Sequence, residues 1–182
     1  MLVLLDRDGV INLDNPRGIL RVEEFQFLPR AVEGIALLNK AGYDVAVCTN
    51  QSAISKGDMT METLEAIHAH MQAQLAAAGA RIDRIYFAPD HPDAVSTRRK
   101  PAPGMLLEAL ADFSAEAKNT PMVGDMLRDM EAALAAGCPR ILTRTGKGAA
   151  LEAKGIPSHL APITVCDDLF TAAQHILRGE GL

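Results

Sequence analysis

The sequence predicts an α/β fold, a doubly wound Rossmann-like parallel sheet with helices on both faces. Short apolar runs alternate with amphipathic helical patterns along the chain. The runs are largely apolar throughout, as expected of parallel strands that are covered on both faces. This strand–helix repetition is typical of a doubly wound sheet. With 182 residues the chain can bury one sizeable core but not two, so we expect one domain over residues 1–182.

Six apolar runs are predicted as strands. Each is three to five residues long and lies between turn residues or helical patterns. Most also contain the β-branched or aromatic residues that favour strands. In chain order, the predicted strands are residues 2–5, 44–48, 83–87, 121–123, 140–143 and 163–166.

Five segments between these strands have helical periodicity. In the first, Val32, Ile35 and Leu38 share one face, and Gly42 follows as a stop. In the second, apolar residues form one stripe that ends before Gly79. The predicted helices are residues 31–40, 61–78, 105–113, 127–136 and 169–177.

Three segments lack periodicity, and each follows a predicted strand: residues 12–28, 51–59 and 88–104. The loops after parallel strands gather at the carboxyl edge of the sheet, where ligands bind. From Asp8 to Thr49 there is room for one loop and one helix, and from Ser52 to Lys100 for one helix, one strand and one loop. We therefore expect no large cap domain and a site covered by these three loops.

Composition excludes several classes of function. The net charge is −5, whereas proteins that bind nucleic acid or an anionic membrane typically carry a basic surface. No apolar run approaches the roughly 18 residues of a membrane span, and no signal peptide is recognisable. The three cysteines are isolated, which argues against a disulfide framework. We expect a cytoplasmic monomer that binds neither nucleic acid nor membrane.

Polar residues stand where the predicted strands end, and their types suit phosphoryl transfer. Two close carboxylates repel each other unless a cation lies between them, and Mg²⁺ prefers oxygen ligands. One carboxylate can then attack phosphorus while a second moves a proton, and a lysine, a hydroxyl and an amide can hold the phosphoryl group. The candidates are Asp6, Asp8, Thr49, Asn50, Gln51, Arg99, Lys100, Asp125 and Asp129.

The alternation of side chains along an extended segment places Asp6 and Asp8 on the same side. Arg7, between them, is then expected to point away, and we assign it no catalytic role. His68 and His70 lie two residues apart on a predicted helix, so they face different directions and are interpreted as surface or boundary residues.

Four segments of the chain, LLDRDGVIN, CTNQS, RRKPAPGM and MVGDMLRDMEAA, resemble the four motifs of the haloacid dehalogenase-like hydrolases, in the same order. Within that superfamily, DRDGVIN, TNQS and RKPAPGM are similar to the corresponding segments of the phosphatases that act on heptose 1,7-bisphosphate. The histidinol-phosphate phosphatases are close relatives of that group. The resemblance covers nearly the whole chain and implies a parallel sheet with the Asp6 strand in the middle.

The resemblance also implies roles for individual residues. Asp6 would be the nucleophile and a Mg²⁺ ligand, and Asp8 the general acid and base, with its backbone carbonyl on the metal. Asp125 would be the third metal ligand, with Asp129 orienting its neighbours. Further residues would contact phosphate or substrate: Thr49, Asn50, Gln51, Ser52, Arg99, Lys100, Asn12, and the loop of residues 14–17 with Asp14 and Arg17.

The sequence departs from the family pattern in two places. Relatives often carry a zinc loop before the Arg-Lys pair, but the four ligand positions here are Ala88, Asp90, Ser96 and Arg98. With no thiolate there, His91 alone cannot hold a structural zinc, so we expect Mg²⁺ and no zinc. The second departure is Met126, at a position that is often lysine or another polar residue in relatives.

Several functions therefore remain open from the sequence. The first is a Mg²⁺-dependent phosphatase that acts through an aspartyl-phosphate on a small phosphorylated sugar, with a heptose bisphosphate of cell-envelope precursor synthesis as its substrate. A phosphatase of histidinol phosphate or another small metabolite is the alternative. A phospho-accepting receiver domain and a catalytically silent binding module are two further classes.

Overall fold

The computed structural model describes residues 1–179, so the last three residues of the predicted domain lie outside the described residues. Six parallel strands form one sheet in the order β3-β2-β1-β4-β5-β6. This is the predicted doubly wound arrangement. The strands are β1 (Leu2–Leu5), β2 (Asp44–Asn50), β3 (Arg84–Ala88), β4 (Met122–Gly124), β5 (Arg140–Thr143) and β6 (Thr164–Cys166).

Strand β1 lies in the centre of the sheet, as expected. It pairs with β2 on one side and β4 on the other, and all four of its residues are buried. The strand order reverses between β1 and β4, which is where ligands bind in such sheets. Asp6 and Asp125, which follow these two strands, therefore lie next to each other.

The helices are α1 (Ala31–Lys40), α2 (Met61–Ala77), α3 (Gly104–Asp112), α4 (Leu127–Ala136), α5 (Gly148–Lys154) and α6 (Leu169–Arg178). Helices α1, α2 and α6 pack on one face of the sheet, together with Val3 and Leu5. Helices α3 and α4 pack on the other face, together with Leu2 and Leu4. The apolar residues of β1 therefore serve two cores.

Among the strands and α-helices, two differ from the prediction by more than one residue at an end. Strand β2 continues to Asn50, because Thr49 and Asn50 pair with Phe87 and Ala88 of β3. Helix α5 was not predicted: it has seven residues, and Gly148 is its only buried one, so it has no apolar stripe to reveal it. Within residues 1–179, no helix is long and apolar enough to cross a membrane.

Candidate active site

Three buried carboxylates meet at the carboxyl edge of the sheet. Asp6 follows β1, Asp125 follows β4, and Asp129 lies in the first turn of α4. One oxygen from each lies within 4.8 Å of the others. The Asp6 amide donates to the Val123 carbonyl at 2.9 Å, and Asp129 accepts from the Met126 amide at 2.9 Å. Backbone pairing and helix capping thus fix where these carboxylates stand.

Lys100 is the cation that contacts this cluster. Its Nζ lies 2.9 Å from Asp6 Oδ1 and 2.7 Å from Asp129 Oδ1, and its side chain is fully buried. Burial alone would lower the pKa of Lys100, but the charges of Asp129 and Asp6 outweigh it and raise that pKa. The Asn50 amide fixes the Lys100 backbone, donating to its carbonyl at 2.9 Å and accepting from its N–H at 3.0 Å.

One ammonium does not balance three carboxylates. Burial raises the pKa of Asp125, and the charges of Asp6 and Asp129 raise it further. Burial also raises the pKa of Asp6, although Lys100 opposes it. Without a further cation, the cluster therefore favours a protonated carboxyl group over three carboxylates.

The surroundings of Asp125 fit a hard divalent cation. Its Oδ2 accepts from the Lys147 amide at 2.8 Å, whereas its Oδ1 is buried and has no hydrogen-bond partner within residues 1–179. Gly9 and Gly146 both have positive φ angles, and a methyl group at either would overlap the Asp125 carboxylate. The two glycines therefore let the backbone pack closely against the Asp125 carboxylate, which retains one unused oxygen, and oxygen is the ligand that Mg²⁺ prefers.

We expect Asp125→Asn to stabilise the metal-free protein and to abolish its response to Mg²⁺. Removing one of three crowded charges should raise the free energy of unfolding by about 1 kcal/mol or more, which corresponds to a rise in Tm of about 2–4 °C per kcal/mol. Thermal unfolding with EDTA and with Mg²⁺ measures both effects. Exposed Asp93→Asn is the matched control, with neither change expected. A lower Tm in EDTA together with an unchanged Mg²⁺ response would contradict this assignment.

Asp8 has its own partners, apart from the three-carboxylate cluster. Its Oδ1 accepts from Asn12 Nδ2 at 2.9 Å and from Arg7 Nη2 at 3.0 Å, and its Oδ2 accepts from Gln51 Nε2 at 3.0 Å. Burial alone would raise the pKa of Asp8, but the Arg7 charge and these hydrogen bonds outweigh it and lower that pKa.

The expectation that Arg7 points away from Asp8 is wrong. Strand β1 ends at Leu5, and the Arg7 carbonyl accepts from the amides of Ile11 at 2.8 Å and Asn12 at 3.1 Å. The chain is therefore in a tight turn at Arg7, where alternation of side chains no longer applies. The Arg7 side chain is fully buried and folds back onto Asp8. His68 lies at the boundary of the core, as expected, and its Nε2 is 3.1 Å from Arg7 Nη1.

A pocket of about 310 Å³ opens at Asp8, whereas the buried Asp6, Lys100, Asp125 and Asp129 are not among its lining residues. It is lined by the predicted residues Asp8, Asp14, Arg17, Asn50, Gln51, Ser52 and Arg99, and also by Lys56, Asp58, Arg128 and Lys147. Asn12 is fully buried and lies beneath Asp8, away from the pocket surface. Thr49 is also buried, and its hydroxyl accepts from Gln51 at 2.9 Å.

Arg128 and Lys147 were not singled out in the sequence, although each carried a signal. Arg128 is a cation at the start of a helix, where the helix dipole favours anions. Lys147 lies between two glycines in the loop after β5, four residues beyond the end of the strand, and its Nζ pairs with Asp14 at 3.1 Å. A fourth loop, residues 144–147, therefore joins the three predicted loops around the pocket.

The loop that departs from the zinc pattern is held by hydrogen bonds. The Ser96 hydroxyl donates to Asp90 at 3.0 Å and accepts from the amides of Arg98 and Arg99 at 3.1 and 2.9 Å. The Arg98 guanidinium binds Glu108 through two contacts of 2.7 Å. Asp90 and Ser96, at two of the positions that often hold zinc ligands in relatives, thus bond to each other, and Ser96 positions the backbone of Arg99.

Comparison with known families and proteins finds matches along nearly the whole chain. The HAD-hydrolase-like family model matches residues 97–172, and the polynucleotide kinase 3 phosphatase model matches residues 8–134. The D-glycero-beta-D-manno-heptose-1,7-bisphosphate 7-phosphatase of Pseudomonas putida is 41% identical, over 97% of this chain and 99% of that protein. The Bordetella bronchiseptica protein of the same name is 38% identical, over 97% and 98%.

Two solved structures are similar over almost their full lengths. The crystal structure of D,D-heptose 1,7-bisphosphate phosphatase from B. bronchiseptica, complexed with magnesium and phosphate, has a TM-score of 0.92 and 37% identity, and 98% of each chain is covered. The D,D-heptose 1,7-bisphosphate phosphatase from Burkholderia thailandensis has a TM-score of 0.74 and 39% identity, with 97% of each chain covered.

Proposed function

Because this chain belongs to the haloacid dehalogenase-like hydrolases, we propose that it is a Mg²⁺-dependent phosphatase that removes the 7-phosphate of D-glycero-D-manno-heptose 1,7-bisphosphate. The observation that carries this proposal is the buried group of Asp6, Lys100, Asp125 and Asp129 beside a cation-lined pocket. The named activity of the relatives over the full chain supports the choice of substrate.

Asp6 acts as the nucleophile in this proposal. Its carboxylate oxygen bonds to phosphorus while the bond from phosphorus to the sugar oxygen breaks, giving an aspartyl-phosphate and the sugar alcohol. Lys100, 2.9 Å from Asp6 Oδ1, keeps that carboxylate ionised and offsets the charge of the transferred phosphoryl group.

Asp8 carries the proton in both half-reactions. In its protonated form it donates to the departing sugar oxygen, and as the carboxylate it then takes a proton from the water that attacks the aspartyl-phosphate, which releases phosphate and restores Asp6. The lowered pKa of Asp8 favours the carboxylate in the substrate-free protein, so the proton it donates must be taken up before the first step. Thr49, Asn50, Gln51 and Ser52 stand at the end of β2 beside this path, and the last three line the pocket. We assign Thr49 and Asn50 to binding the phosphoryl oxygens, with Gln51 and Ser52 beside them. The Gln51 amide already donates to Asp8 Oδ2 and Thr49 Oγ1.

Mg²⁺ would be held by Asp6, Asp125 and the backbone carbonyl of Asp8, with Asp129 beside them. When bound, it supplies positive charge that lets two carboxylates and a phosphate share one small site. The unpartnered Oδ1 of Asp125 supports this assignment. So does the magnesium in the similar B. bronchiseptica structure.

The pocket suits a substrate with a second phosphate. Arg17, Lys56, Arg99 and Arg128 all line it. Burial and the neighbouring charge of Arg128 lower the pKa of Arg99, and Arg128 Nε is buried with no hydrogen-bond partner among residues 1–179. A phosphate that is not hydrolysed would offset the repulsion between these guanidinium groups and use their free donors. We assign Arg99 and Arg128 to that phosphate.

Three further properties of the protein belong to this proposal: its location, its oligomeric state and its domain organisation. We infer that the protein acts in the cytoplasm as a monomer, on a small phosphorylated metabolite rather than on nucleic acid, and that residues 1–182 form one phosphatase domain. The net charge of −5 supports a small-molecule substrate over a polynucleotide, even though one matching family model describes a polynucleotide phosphatase.

A kinetic panel tests the substrate. With Mg²⁺, we expect kcat/KM for heptose 1,7-bisphosphate to exceed the values for sugar monophosphates and histidinol phosphate by about 10²-fold, since the second phosphate adds charge-assisted hydrogen bonds. Phosphate release measures each rate. Arg128→Met is the matched comparison: it should lower the bisphosphate value by about 10-fold or more and change the monophosphate values by less than about 3-fold. Equal rates across the panel would refute the heptose assignment, and a preference for histidinol phosphate would replace it.

A further inference from the structure

Arg7 is a buried cation that the proposed mechanism does not use. Its side chain has no exposed surface, and burying a guanidinium group is costly unless it is fully paired. Its nearest carboxylate belongs to the next residue: Nε and Nη2 lie 3.3 and 3.0 Å from Asp8 Oδ1, and Nη2 lies 3.1 Å from Oδ2. Because packing alone would favour an apolar side chain at this position, the contact between the buried Arg7 guanidinium and the Asp8 carboxylate points to a functional role.

The two oxygens of Asp8 stand in different surroundings. Oδ1 faces Arg7 and Asn12, both fully buried and neither among the residues that line the pocket. Oδ2 also accepts from Gln51, which does line the pocket. The Arg7 guanidinium contacts both oxygens, and Asn12 holds Oδ1 on the side away from the pocket. Oδ2, beside the pocket-lining Gln51, is therefore the oxygen on the pocket side.

His68 of α2 holds the other side of Arg7. Its Nε2 lies 3.1 Å from Arg7 Nη1. Burial and the Arg7 charge lower the pKa of His68 to about 3, so the ring is neutral and Nε2 can accept from Nη1. The His68 ring is also tilted against Phe87 of β3, at a centroid distance of 6.3 Å. A contact path thus runs from α2 through Arg7 to Asp8.

We propose that Arg7 is a positioning residue for proton transfer, which holds Asp8 with Oδ2 toward the leaving oxygen, and that His68 in turn positions Arg7. This inference rests on the proposed function, since it requires Asp8 to be the proton donor. The proposal predicts that the loss of rate on substitution of Arg7 depends on the leaving group of the substrate. A sugar oxygen needs a proton as it departs, whereas the nitrophenolate of p-nitrophenyl phosphate leaves without one.

The test compares two substrates in the Mg²⁺-loaded full chain. Arg7→Met should lower the single-turnover rate of aspartyl-phosphate formation from a sugar phosphate by about 10²-fold or more, but from p-nitrophenyl phosphate by less than about 5-fold, with the half-saturating concentration of each nearly unchanged. This first step is measured by acid quench, because the later hydrolysis of the aspartyl-phosphate also uses Asp8 and is common to both substrates. Arg7→Lys keeps the positive charge but cannot make the planar guanidinium contact with the carboxylate. It should recover less than a tenth of the rate that Arg7→Met loses on the sugar phosphate. An equal loss on both substrates would overturn the proposal.

His68 provides a second test that leaves the buried ion pair in place. His68→Leu should show the same selective loss at a smaller size, about 10-fold, and His68→Gln, which retains an acceptor, should recover most of it. His70→Leu is the matched control on the same helix, because His70 contacts Gln74 and Phe25 instead of Arg7. Identical kinetics for His68→Leu and His70→Leu would remove His68 from the proposal.

A double-mutant cycle separates positioning from general structural damage. If Arg7 acts through Asp8, Arg7→Met should cost almost nothing further on the sugar phosphate in an Asp8→Asn background. Additive losses would overturn the proposal. The wild-type rates identify failure of the proposed function separately: activity without preference for heptose bisphosphate refutes only that substrate, whereas no hydrolysis of any phosphate ester refutes the phosphatase assignment and the role of Arg7 with it.

Discussion

Asp6→Asn is expected to reduce phosphate release by about 10⁴-fold or more, because the amide cannot form the aspartyl-phosphate. The substitution keeps the size of the side chain. It also removes a buried carboxylate whose desolvation cost is only partly offset by the charge of Lys100. The Tm in EDTA should therefore stay level or rise. The two readouts are steady-state phosphate release and the amount of acid-quenched phosphoenzyme, and both should fall together.

A matched control is available in the same pocket. Asp58 lines the pocket but has no place in the proposed chemistry, so Asp58→Asn should keep the rate of phosphate release within about 3-fold of wild type. If Asp6→Asn turns over at more than about a hundredth of the wild-type rate, Asp6 is not the nucleophile. If it abolishes turnover but leaves normal amounts of trapped phosphoenzyme, another carboxylate receives the phosphoryl group.

Lys100→Met is expected to have the largest effect on stability. Its ammonium is fully buried between Asp6 and Asp129, so removing it leaves two carboxylates without their nearest cation. Breaking a buried ion pair costs about 3–5 kcal/mol in the free energy of unfolding. Turnover should also fall by about 10³-fold or more, because the phosphoryl charge loses its partner. Denaturant unfolding in EDTA and phosphate release in Mg²⁺ measure the two losses.

The pH dependence of this variant has a defined sign. Burial raises the pKa of Asp6 and Lys100 opposes that rise, so without Lys100 the folded-state pKa of Asp6 lies further above its unfolded value. The ionised Asp6 then destabilises the fold at high pH and ceases to do so once it is protonated. The stability gap between wild type and Lys100→Met should therefore narrow as pH falls from 8 toward 5.5. Exposed Lys118→Met should lie within about 0.5 kcal/mol of wild type throughout. A gap that widens on acidification would contradict the assigned role of Lys100.

The sheet and the cluster at its edge could be predicted because both depend on strong, local sequence signals. Apolar runs marked β1 and β4, and the acidic residues directly after them had to meet once the two strands paired. The family resemblance added the order of the motifs and the central place of β1. Helix α5 gave no comparable signal, since a seven-residue helix that buries only Gly148 has no apolar periodicity.

The contacts of Arg7 could not be predicted by the same reasoning. Side-chain alternation assumes an extended backbone, but the chain turns at Arg7, where one carbonyl accepts from the amides of Ile11 and Asn12. The partner of Arg7 on the far side is His68, 61 positions away on α2. Contacts of this kind depend on tertiary packing and on side-chain direction within a turn, and residue spacing does not specify either.

The central position of β1 also bears on how the protein is made. Synthesis runs from the N-terminus, so Leu2–Leu5 leaves the ribosome early, but its neighbour β4 begins only at Met122. Asp6 cannot meet Asp125 and Asp129 until well over half of the chain has been translated. Until then a strongly apolar strand lacks one of its two partners, which is a state that invites aggregation. Activity therefore requires translation past β4, and of all the strand pairs in the sheet, β1 and β4 are separated by the longest stretch of sequence.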